Sequence, residues 1–131
     1  EGLSRAGASS PPGLHLLKAE AFGRSGEMEA AEAEYRKELE AHRASVEALI
    51  GLAVVAAARG DLDEAARRAE AIARGVPTVE GYVAGVTSLL SFGRRDKART
   101  LLAEARRAFP GDPRLGRLAA PDAGAGPRIA P

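Results

Sequence analysis

The chain has 131 residues, a formal net charge of +1, no cysteine, and 4% aromatic against 45% apolar residues. Those values exclude disulfides, thiolate metal sites and cysteine nucleophiles, and they provide no bulk electrostatic pull toward nucleic acid or membrane. They bound the molecule to one domain, or one run of repeats, with a modest Ala-rich core of closely approaching helices.

Residues 1–10 are polar and rich in Gly, Ala and Ser, which reads as a linker or the end of an upstream element. The start carries neither a secretory pattern nor an initiator Met, so the expectation is a piece of a longer protein in a soluble, by default cytoplasmic, setting. Ser10-Pro11 has the form of a helix start, with Ser as N-cap and Pro at the first helical position. From there to about Gly23, Leu14, Leu17 and Ala21 form one helical stripe and Leu16, Ala19 and Phe22 an adjoining one. Ser25-Gly26 breaks the pattern. A second helix follows over 27–41, with Met28, Ala31, Tyr35 and Leu39 on one face.

Ser45 caps a third helix running to Arg59, whose apolar run from Ala48 to Ala58 is far too short for a span of ~20 residues. Asp61, with Glu64 three residues on, forms a capping-box-like start to the fourth. Val76-Pro77 stops it, because Pro lacks the N–H that a continuing helix needs. Thr78 restarts the pattern to Phe92, Gly93 breaks it, and a sixth helix spans Asp96 to Ala108. Asp112-Pro113 caps a short last helix carrying Leu115 and Leu118. Residues 120–131 alternate Pro, Gly and Ala without a burial pattern and read as an extended or disordered tail.

The breaks are periodic. Gly26 and Gly60 are 34 residues apart, and Gly60 and Gly93 are 33 apart. Five residues after each glycine stands an alanine (Ala31, Ala65, Ala98). Seven before stand Ala19, Ala53 and Val86, and four before stand Phe22, Ala56 and Leu89. Small residues in such columns mark where the two helices of a hairpin cross. This pattern resembles the tetratricopeptide repeat, a 34-residue helix-turn-helix with small crossing residues and a closing Pro. The middle repeat carries it best, with L-x-x-L-A from Leu49, then R-G-D-L-D-E-A from Arg59, closed by Pro77. The first repeat departs with Lys18 where Leu is usual and Arg43 where the others have Pro77 and Pro110. The third is one residue short near Pro77 to Glu80 and has Gly85 at a usually larger position.

The resemblance implies an all-α fold: a right-handed α-solenoid of three helix-turn-helix repeats over 11–119, ending in a short capping helix. It also implies a concave groove lined by the first helix of each pair, with Leu16, Glu20, Arg24, Ile50, Val54, Val83 and Thr87 as candidate peptide-binding residues. The family's grip on heat-shock chaperone tails needs basic and Asn side chains. The matching positions here hold Leu16, Glu20, Gly51, Glu80 and Ala84, so no such clamp is expected. The middle helix is apolar on every side, which calls for a neighbour on every side.

Catalytic, cofactor and metal sites are not expected. His15 and His42 stand on different helices without ligand-spaced partners, and no phosphate-binding or nucleophile-elbow motif is present. Residues 18–47 carry eight acidic against five basic side chains, and residues 94–117 eight basic against three acidic. No aromatics interleave with the arginines, so nucleic acid has no support. The reading is a non-enzymatic protein-interaction scaffold that binds a peptide or helix in an apolar groove, with no cofactor and no membrane or nucleic-acid partner. The alternative is a structural spacer or self-association module, packed on its parent chain or on a second copy as a homodimer. The open-looking ends, with Leu115 and Leu118 as a thin final cover, favour that alternative.

Overall fold

The computed structural model describes residues 11–118, and the linker over 1–10 and the tail over 120–131 lie outside the described residues. Among the described residues seven helices follow in order: α1 Leu14–Arg24, α2 Met28–Ala41, α3 Val46–Ala58, α4 Leu62–Gly75, α5 Val79–Ser91, α6 Arg95–Ala108 and α7 Pro113–Arg117. Among the described residues there is no strand, so the class is all-α helix-turn-helix. The chain divides into two compact units, with the boundary inside α4 between Arg68 and Ala69.

The three turns are built alike. Gly26, Gly60 and Gly93 have φ of 83°, 87° and 76°, a left-handed conformation that costs a Cβ-bearing residue steric strain. At each turn the residue after the glycine donates its N–H to Phe22, Ala56 or Leu89, at 2.8, 3.0 and 2.8 Å. The glycine N–H bonds one residue further along the helix, at Gly23, Ala57 and Leu90. This paired closure satisfies carbonyls that the helix end would otherwise leave open. The crossing columns behave as their spacing predicts: Ala31, Ala65, Ala98, Ala19, Ala53 and Val86 are all 0% exposed.

Ser45 and Asp112 cap their helices as read from sequence, and Thr78, where the pattern restarts, also serves as a cap. Ser45 accepts from the Ala48 N–H, Thr78 from that of Gly81, and Asp112 from that of Arg114. Asp61 likewise accepts from the Glu64 N–H at 3.1 Å, but the Glu64 carboxylate turns to Arg67 and Arg68 instead of completing a box. The start of α1 differs from expectation. Pro11 to Gly13 form a turn, the helix begins at Leu14, and Gly13 at the N-cap (φ 93°) has no side-chain cap bond. Its N–H is satisfied from α2, donating to Glu38 Oε2 at 2.9 Å.

In the first unit α1 and α2 form a hairpin and α3 packs on α2. The stripe Leu14, Leu17, Ala21 is not buried: Leu14 is 39% and Leu17 69% exposed, and Ala21 is exposed too. The adjoining stripe, with Ala19 buried and Leu16 and Phe22 half-buried, faces inward. Two polar links fasten this hairpin. His15 Nδ1 meets Glu34 Oε1 at 2.7 Å, and Glu38 caps Gly13 as above. Both acids are buried, at 8% and 1% exposure. In the same columns the later repeats place Arg68 and Leu101 for Glu34, and Ile72 and Ala105 for Glu38.

Glu32 on α2 is the hub of an ion network. It accepts from Arg36 on its own helix, from Arg59 at 3.1 Å and from Arg68 at 3.4 Å. Arg68 also donates to Glu64 at 2.9 Å and to the Leu52 carbonyl at 2.9 Å. Burial alone would raise the Glu32 pKa, but the Arg36 hydrogen bond and the charges of Arg68, Arg36 and Arg59 hold it below 4.5. A lowered folded pKa means the network's stabilisation is complete above 4.5 and is lost as pH falls through the folded value. Glu32→Gln is therefore expected to give a shallower acid decline in melting temperature than the parent chain below that pH. Parallel slopes in a series of thermal melts would refute the assignment.

In the second unit α6 packs on α5, and α7 packs on both. Leu115 of α7 is 1% exposed and Tyr82 meets Phe109 edge-on at 6.1 Å. The short helix therefore closes this unit more fully than its two leucines suggest. Gly85 is explained by close approach, since a Cβ there would stand 2.9 Å from Leu101 Cδ2 and 3.0 Å from the Ala69 carbonyl.

Candidate functional site

α3 is apolar on nearly every side, and its register decides which residues remain open. Ala48, Gly51, Leu52, Ala53, Val55 and Ala56 are buried, while Val54 is left 50% exposed. A β-branched side chain half in solvent on such a helix is a surface seeking a neighbour. Beside it lies a groove of about 280 Å³ formed by α1, α2 and α3 within the first unit. Val54, Val55 and Ala58 come from α3, Tyr35 and Met28 from α2, and Glu20 and Arg24 from the exposed rim on α1.

The floor depends on one contact. Gly51 lies under the Tyr35 ring so closely that a Cβ would stand 2.2 Å from Tyr35 Cζ. The missing side chain thus lets the aromatic ring approach α3 closely and supply apolar area to the groove. Burial, with the negative charge of Glu20 adding to it, pushes the Tyr35 pKa up, so the phenol stays a neutral hydrogen-bond donor. Glu20 and Arg24, one turn apart, give the rim one charge of each sign.

Of the residues singled out from sequence, Glu20, Arg24 and Val54 come together on this groove. Leu16 instead lines a separate cavity with Pro12 and Glu38. Ile50 is half-buried and is not among the residues lining the groove. Val83, half-buried, and Thr87, exposed, stand on α5 in the second unit. Sequence reasoning places Met28 and Tyr35 on one face of α2 and misses their part in the groove. The signal was available in the pairing of a large aromatic with a glycine in the next helix. Of the five clamp positions, Gly51 and Ala84 are buried and only Glu20 and Glu80 are exposed acids.

Among the described residues there is no cluster of His, Cys, Asp or Glu able to hold a metal ion, and no helix long and apolar enough to cross a membrane. No curated protein matches the chain. Residues 16–78 match the family model of the tetratricopeptide repeat. Repeats of this kind generally mediate protein–protein interaction and are typically non-catalytic. The turn glycines, the buried crossing alanines and that match together support a tetratricopeptide-repeat assignment for residues 16–78.

Proposed function

We propose that the chain is a non-enzymatic interaction scaffold that takes a peptide or an amphipathic helix of a partner protein against the groove of the first unit. The observation that carries this reading is Val54, half-exposed on an otherwise apolar helix and continuous with the Tyr35–Gly51 floor. A partner's apolar side chains would be buried on Val54 and Tyr35, while Glu20 and Arg24 orient the segment by charge. No phosphate, nucleic-acid or chaperone-tail chemistry is invoked, because the rim offers one acid and one base and no basic cluster.

The test is Val54→Glu, which places a charge where apolar burial is required but leaves the buried face of α3 untouched. Affinity purification from the native source should recover a partner with the parent chain and lose it at least tenfold with the variant. Circular dichroism would establish that both are equally folded. A variant that keeps both fold and partner would exclude the groove.

The second reading is self-association, and the exposed Leu14 and Leu17 on α1 favour it. Light scattering across a concentration series separates the two: a dimer abolished by Leu17→Glu but not by Val54→Glu belongs to the α1 face.

A further inference from the structure

We propose that the cavity beside Glu38 is a binding site for a cationic side chain, a guanidinium or an alkylammonium. The cavity, about 600 Å³, lies where the start of α1, the end of α2 and the start of α3 meet. Glu38 lines it and is 1% exposed. One carboxyl oxygen, Oε2, accepts the Gly13 N–H, while the other, Oε1, is buried and has no donor. A buried acceptor without a donor is costly, and a buried carboxylate most of all unless a positive charge meets it.

Packing does not require an acid here. The second and third repeats fill the same column with Ile72 and Ala105, both fully buried. The capping of Gly13 uses one oxygen and leaves the other to be explained. Glu47, exposed on the same wall, adds a second negative charge, and Leu16 and Pro12 offer apolar surface to the aliphatic stem of Arg or Lys. His42 and Arg43 also line the cavity. Glu34, one turn before Glu38, is already engaged by His15 and Lys37.

The cation has two sources. It is either an arginine of this chain, Arg43 on the wall or Arg5 upstream of Pro11, or a side chain from another molecule. The probe is N-acetyl-argininamide, with N-acetyl-citrullinamide as its neutral isostere. Both are titrated while the Gly13 amide signal is followed by nuclear magnetic resonance, in the parent chain and in an Arg5→Gln/Arg43→Gln variant. The expected result is a saturable shift with the cationic probe at least tenfold tighter than with the neutral one.

A response in both proteins supports the proposal with an external cation. A response in the variant alone supports it with the chain's own arginine as occupant. No saturable shift in either protein, or equal response to both probes, overturns it. Glu38→Gln, checked for folding by circular dichroism, should lose the response, and its retention would likewise overturn the proposal. The probe comparison decides the matter even where Glu38→Gln does not fold.

Discussion

Replacing Leu115 with alanine is expected to cost about 2–5 kcal/mol, the range for deleting a fully buried leucine from a packed site. Leu115 is 1% exposed and anchors α7, a five-residue helix whose backbone alone could not hold it in place. Its side chain is what closes the second unit over α5 and α6. Urea unfolding would read the loss as a lower midpoint, and hydrogen exchange would read it as faster exchange in α5 and α6 than in α2. A loss below about 0.5 kcal/mol, the scale of ordinary surface changes, would mean that α7 only rests on the unit and does not seal it.

The second large effect is expected at the helix crossings. Ala65→Leu inserts a side chain where the structure leaves none of the alanine exposed, and overpacking of this kind costs about 1–3 kcal/mol. The same change at Ala103, exposed on α6, is the matched control and should be close to neutral. The pair isolates position from chemistry, because both sites are helical alanines with equal propensity. A thermal melt in which Ala65→Leu behaves like Ala103→Leu would show that the column does not mark a crossing.

The parts of the fold legible in the sequence are those where backbone geometry admits few residue types. A positive φ at the turns selects glycine, so Gly26, Gly60 and Gly93 announced both the turn and the period. Caps at Ser45, Asp61 and Asp112 were readable because an oxygen at that position has an open N–H within reach. Burial was harder to read, because periodicity shows that a stripe exists but not what lies against it. Positions 48, 51 and 55 are buried on α3, whereas the matching Leu14, Leu17 and Ala21 of α1 are exposed. Glu34 and Glu38 were hidden for the opposite reason: among the many acids of residues 27–40 they look like a solvated face, and only packing shows them turned inward. The groove was read from its first-helix residues, and Tyr35 entered it through a glycine one helix away.

The two ends of the described chain are fastened by different chemistry. A load taken up at Leu118 meets Leu115 seated in apolar surroundings, which resists until the seat itself is pulled open. At Pro11 a load meets the Gly13–Glu38 hydrogen bond and then His15–Glu34, polar fastenings that water can replace one at a time. Tension is therefore expected to meet polar links first at the α1 end and apolar burial first at the α7 end.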